Sequence, residues 1–191
     1  MMAIRQFSNS GSHQKALERI QLELSQTTNP EFKAELLTRR LNIEYFLGNR
    51  SVALQTCDAL YDEDPNNVYY LLERARSEQS QEKRLASISR AIEIDPYYSS
   101  AYRLRAEFYE EQLENDPKCN FVETIAAIHK DYQASLRVNP SLGNPSWIEY
   151  CEYLLSNRRE PKQQRLAVVD NLLKRLEELD AYSQVYFKVA G

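Results

Sequence analysis

Apolar residues along this chain recur three and four positions apart, and strand-like alternation is almost absent. Leu17, Ile20 and Leu24 share one helical face, as do Ala53, Cys57 and Leu60, and Leu85, Ile88 and Ile92. Ile125, Ile128, Tyr132 and Leu136 form another stripe, and Leu166, Val169, Leu173 and Leu176 a last one. The pattern predicts helices over 13–26, 31–47, 51–62, 67–79, 82–93, 98–115, 121–137, 146–156 and 162–179, with a short one over 181–188. Ten helices joined by short turns make an all-α chain.

The prolines punctuate this pattern. Pro30, Pro65, Pro96, Pro117, Pro140 and Pro145 each follow Asn or Asp, and only Pro161 follows Glu. A residue before proline is pushed out of the α region, so the preceding helix must end there. Asn and Asp suit the N-cap, and proline suits the first turn, where its missing N–H would be orphaned anyway. Each Asp/Asn-Pro is therefore expected to stop one helix and start the next.

Four of these corners, Pro30, Pro65, Pro96 and Pro140, lie 35, 31 and 44 residues apart. A period of about 34 with two helices per unit is the mark of a helical solenoid. Within the units, FLGNRSVALQTCDALYDEDPNN (46–67) resembles the second half of a tetratricopeptide repeat (TPR). Gly48 closes a first helix, Ala53 lies at the helix crossing, and Leu60 precedes the terminal Asp64-Pro65. RAIEIDP (90–96) is similar to the same ending. AYRLRAEFYEEQ (101–112), with Tyr102, Ala106 and Tyr109, is similar to a first helix, and so is SWIEYCEYLL (146–155), with Trp147, Cys151 and Leu154. The repeats are degenerate. Glu44 fills an aromatic slot, SEQSQEK replaces a glycine turn, and the third repeat carries an extended helix through EEQLENDPKCN.

The resemblance implies a right-handed α-solenoid of stacked antiparallel helix pairs, a TPR-like superhelix. It makes 13–191 one repeat domain behind a flexible segment 1–12. In that family the first helix of each pair lines a concave groove that binds protein or peptide. Carried over by repeat register, the groove would present Glu35, Thr38, Asn42 and Tyr45, then Tyr69, Leu72 and Arg76, then Arg103, Glu107 and Glu110, and finally Ile148, Glu152 and Leu155. Amides would bond a ligand backbone, with aromatics and arginines as anchors. The clamp by which some TPR proteins hold chaperone C-termini is not matched, because its positions read Thr38, Asn42, Glu73, Ser100 and Leu104 and only Asn42 agrees.

Composition narrows the function further. The chain has 191 residues and a net charge of −4, which argues against a nucleic-acid partner. No run is long and apolar enough for a membrane, and the start has no signal-like apolar segment, so a cytoplasmic protein is expected. Cys57, Cys119 and Cys151 are far apart and odd in number, and read as small apolar residues in a reducing compartment. His13 and His129 stand alone on different helices, and no metal, nucleotide or hydrolase motif is present. The expected function is non-catalytic, without cofactor or metal: an adaptor for a protein or peptide. The alternative is a structural or oligomerising solenoid cut from a larger enzyme or sensor.

Three local features add to this picture. Glu107, Glu110, Glu111 and Glu114 form an acidic ridge, either a solvated face or a dock for a basic partner. RREPKQQR (158–165) is a basic loop and helix start, read as solubilising rather than phosphate-binding. Near the end, Tyr182, Val185, Tyr186 and Phe187 crowd apolar groups where a free solenoid cap would be polar, so an interface is expected, with further repeats or with a second copy.

Overall fold

The computed structural model describes residues 13–190, with side chains through 180. All described secondary structure is helical: α1 (His13–Gln26), α2 (Pro30–Phe46), α3 (Arg50–Glu63), α4 (Val68–Ser77), α5 (Gln81–Ile94), α6 (Ser99–Asn115), α7 (Phe121–Val138), α8 (Ser146–Ser156) and α9 (Lys162–Ala190). The expected break near 180 is absent, and α9 runs on as one helix. No proline or glycine lies between 162 and 190 to stop it. The segment 1–12 lies outside the described residues, as do the side chains of Tyr182, Val185, Tyr186 and Phe187.

The corners form, but mostly by a different device from the one expected. At Asn29-Pro30 the expectation holds: the Asn29 side chain accepts from Phe32 N at 3.2 Å and Pro30 opens α2. At Asp64, Asp95, Asp116 and Asn139 the acid or amide is instead the C-cap of the finished helix, with ψ between 88° and 102°. That extended ψ is what a following proline imposes. The proline then enters a turn. Asp64 O accepts from Asn67 N at 3.1 Å, and its carboxylate from Asn66 N at 3.2 Å. Asp116 repeats both bonds, with Cys119 N and Lys118 N. At the Asp64 and Asp116 corners the next helix takes its own N-cap two or three residues past the proline: Asn67, whose side chain accepts from Tyr69 N and Tyr70 N, and Asn120, which accepts from Glu123 N. Tyr98 and Pro145 open the helices after the other two without a side-chain bond.

Gly48 ends α2 as its motif suggests. With φ at +72° it lets Asn49 N reach Glu44 O at 2.9 Å while its own N reaches Tyr45 O at 3.1 Å. The Asn49 side chain also donates to the Glu44 carboxylate at 2.8 Å, and Glu44 is otherwise buried. This bond accommodates a carboxylate at a position where the repeat would place an aromatic ring.

The described helices group into two compact units that divide between Pro96 and Tyr97. In the first unit each helix packs on the next in sequence, from α1 to α5. Helix α2 buries two stripes: Leu36 and Ile43 meet Ala16 and Ile20 of α1, and Leu37 and Leu41 meet Ala53, Cys57 and Leu60 of α3. A helix shared between two neighbours is how a repeat array builds a continuous core. In the second unit one cluster joins four helices: Ala106 and Leu113 of α6, Ile128, Tyr132 and Leu136 of α7, Trp147, Tyr150 and Leu154 of α8, and Leu172 of α9.

Ala53 and Ala106 are both fully buried where helices touch, as the register requires. The stripe expected on α9 is rotated. Leu166 and Leu173 are 40% and 48% exposed, while Leu172 is buried and Val168, Val169, Leu176 and Leu179 pack beside it.

Candidate functional site

The candidate surface is carried by the first helix of each hairpin. In the first unit these are α2 and α4. Asn42 and Arg76 are exposed, Tyr69 is 37% exposed, and Glu35 pairs with Arg39 on the same helix at 2.6 Å. Other expected groove residues are occupied internally. Thr38 donates its hydroxyl to Ala34 O at 2.9 Å. The Tyr45 hydroxyl spans α2 to α4, donating to Glu73 O and meeting Ser77 Oγ, each at 2.8 Å. Burial raises its pKa well above the usual range. Leu72 is buried at 2% exposure. Helix α4 packs on both α3 and α5, so its apolar arc takes in Leu71, Leu72 and Ala75 and leaves no surface for Leu72 to offer. Arg76 is held by Glu73, a buried carboxylate.

In the second unit the surface belongs to α6 and α8. Arg103 donates to Glu107 one turn along α6 and to Glu149 of α8 at 2.9 Å, fastening the two helices. Glu110 accepts from the Tyr132 hydroxyl at 2.7 Å. Burial pushes the Glu110 pKa up to about 7, opposed by the Tyr132 bond and assisted by repulsion from Glu107, Glu114 and Glu149. The acidic ridge is therefore not a uniformly solvated face.

Along α8, Ile148, Glu152 and Leu155 lie at i, i+4 and i+7, opposite the buried Trp147, Tyr150 and Leu154. Ile148 is 67% and Leu155 60% exposed. At the C-terminal end of α8 a cleft of about 280 Å³ is lined by Glu110 and Glu114 of α6 and by Asn157, Arg158 and Arg159.

A partly buried polar network in the second unit has no counterpart in the sequence reading. His129 meets the Tyr150 hydroxyl through Nδ1 at 2.6 Å and Glu160 through Nε2 at 2.8 Å. Asn157 donates to the Tyr153 hydroxyl at 2.9 Å and to Glu160 at 2.8 Å. Tyr150 lies stacked on Tyr132, their centroids 5.0 Å apart. Burial raises the Tyr150 pKa to about 12. Arg165 donates to Glu160 O at 3.2 Å and to the C-terminal carbonyls of α8, Leu154 O and Leu155 O. Arg165, in the first turn of α9 at the end of the basic stretch, thus caps a helix. These residues are more than twenty positions apart in the case of His129 and its two partners, which leaves no local signal.

Cys57 is buried, and burial raises its thiol pKa to about 11, which keeps it protonated and unreactive. Among the described residues no three His, Cys, Asp or Glu side chains converge as a metal set. Nor, among them, is any helix long and apolar enough to cross a membrane.

No family model matches the chain, and no curated protein matches it. Solved structures do. A crystal structure of MamA, a TPR-containing protein, matches over 98% of both chains with a TM-score of 0.64 at 12% identity. The structure of a MamA RS-1 ArsTM double mutant matches over 95% of this chain and 92% of that one, with a TM-score of 0.66 at 14% identity. A further MamA crystal structure gives 0.61 over 97% and 90%. Sequence identity this low speaks for the fold alone, and the fold is an all-α helical repeat of the kind seen in MamA.

Proposed function

We propose that the chain is a non-catalytic interaction module, an adaptor that takes an extended protein or peptide segment on the faces of its first helices. The observation that carries this reading is the outer face of α8. There Ile148 and Leu155, two large apolar side chains left in solvent, flank Glu152, and past the C-terminal end of the same helix a cleft has Glu110 and Glu114 together with Arg158 and Arg159 in its lining. An exposed apolar pair set among charges is the composition of a recognition surface: the apolar groups give affinity on desolvation, and the charges fix register. Asn42, Tyr69 and Arg76 supply a corresponding surface in the first unit. The three unpaired cysteines support a reducing, cytoplasmic setting.

Selection of peptides from a random displayed library against the full chain tests this reading. Selected peptides should lose affinity with Ile148→Ser and Leu155→Ser, or with Asn42→Ala, Tyr69→Ala and Arg76→Ala, while the melting temperature barely changes. Arg90→Ala and Lys174→Ala, on the second helices α5 and α9, should have no effect. Equal losses from both sets would place the ligand elsewhere and overturn the proposal. Association of the chain only with itself would favour the oligomerising alternative.

A further inference from the structure

A second cleft in the second unit, of about 420 Å³, lies between α7 and α9, the second helices of their hairpins. It therefore belongs to a different surface from the α6 and α8 face. Tyr150 of α8 also lines it, and its charged lining is cationic. Arg137 from the last turn of α7 and Arg175 from α9 bring two guanidinium groups, Gln133 and Asn171 add amides, and among the described residues no carboxylate lines it. In a chain of net charge −4 this is a local reversal of sign. Neither arginine has an ion pair among the described residues.

Arg175 is also pre-positioned. Its guanidinium lies over the indole of the buried Trp147, 5.4 Å from the ring centroid. A guanidinium held over an aromatic ring keeps N–H donors that can hold a carboxylate with two parallel bonds. The apolar part of its lining is made by Ala167, Val168 and the buried Leu172.

We propose that this cleft is a second binding site, for an acidic peptide segment in which aspartate or glutamate stands next to an aliphatic or aromatic side chain. The carboxylate bridges Arg137 and Arg175, and the apolar neighbour covers Val168 and Leu172. The volume is that of a cleft for one or two side chains, within the range of small ligand sites. The apolar lining and the negative charge of the chain select a peptide over a polyphosphate, which would meet repulsion everywhere else.

Fluorescence anisotropy of the full chain tests this with a labelled, C-amidated peptide carrying Glu-Leu-Glu-Phe and with its Gln-Leu-Gln-Phe isostere. The acidic peptide should bind about tenfold more tightly than the isostere, as charge-assisted bonds require, and should weaken as salt rises to roughly 0.5 M. Arg137→Gln and Arg175→Gln should each cost about tenfold in affinity with unchanged melting. Arg175→Lys should cost nearly as much, because lysine keeps the charge but neither stacks nor forks. Ile148→Ser should leave this peptide's affinity unchanged, which separates the site from the first-helix face. The proposal is overturned by equal binding of the isostere, by no binding at about 1 mM peptide, or by arginine variants that bind like wild type. Loss of binding in Ile148→Ser alone, or equal competition by a single-stranded oligonucleotide, also overturns it.

Discussion

Replacing Glu110 by glutamine should make the protein more stable at pH 8 and flatten its pH dependence. Glu110 is partly buried beneath the α6–α8 surface, accepts from Tyr132, and faces Glu107, Glu114 and Glu149. Its pKa rises from the usual 4.5 to about 7 in the folded chain. The folded state therefore binds a proton that the unfolded state has released, so stability falls as pH rises through this interval. The full cost is present above about 7 and vanishes below about 4.5. A shift of that size corresponds to roughly 3 kcal/mol, and screening by solvent at a partly exposed carboxylate reduces it to about 1–2 kcal/mol. Glutamine keeps an acceptor for the Tyr132 hydroxyl and removes the charge. Urea unfolding should show Glu110→Gln about 1–2 kcal/mol more stable than wild type at pH 8, and within about 0.5 kcal/mol at pH 5. If both proteins lose stability in parallel between these pH values, the carboxylate is not held as the geometry indicates.

Ala53→Leu and Ala106→Leu should each destabilise by roughly 1–3 kcal/mol in urea melts, because both alanines are fully buried against other helices; neutral outcomes would mean those contacts have slack. Arg105→Met should cost about 3 kcal/mol, because Arg105 holds the buried Asp131 through bonds of 2.7 and 2.8 Å, and pairing it with Asp131→Leu should recover most of the loss. Gly48→Ala should cost about 1 kcal/mol from the positive φ alone, since a Cβ there meets no neighbouring atom; a larger loss would point to a role beyond the helix end.

Helix positions were legible because each proline forces an extended residue before it, whichever cap that residue then serves. Which cap was not legible. Asp-Pro satisfies both the rule for a helix start and the rule for a turn after a helix end. At two corners a second polar residue downstream, Asn67 or Asn120, takes the N-cap, but after Asp95 and Asn139 the next helix starts at Tyr98 and Pro145 with no side-chain cap. Helix α9 misled for another reason. Leu166, Val168, Val169, Leu172, Leu173 and Leu176 cover so much of its circumference that two stripes about 100° apart fit equally well, and packing against α8 selects the one containing Leu172. The first-helix surface could be named by register, yet register says nothing of depth. Leu72 is buried because α4 packs against two neighbours, and Tyr45 turns its hydroxyl inward to Ser77. The His129, Tyr150 and Glu160 network and the paired arginines of the α7–α9 cleft are made by tertiary contact, and periodicity does not encode it.

The central claim, that the first helices are the recognition surface, is tested most directly by hydrogen–deuterium exchange with a bound peptide. Peptides would be selected against the Arg137→Gln/Arg175→Gln chain, so that the α7–α9 cleft does not compete, and exchange would be followed with and without the tightest. The account predicts added protection in α2 and α4 or in α6 and α8, with α3, α5 and α7 unchanged. Protection centred on those second helices, or tight binding abolished by Lys174→Ala and untouched by Ile148→Ser and Leu155→Ser, would contradict it.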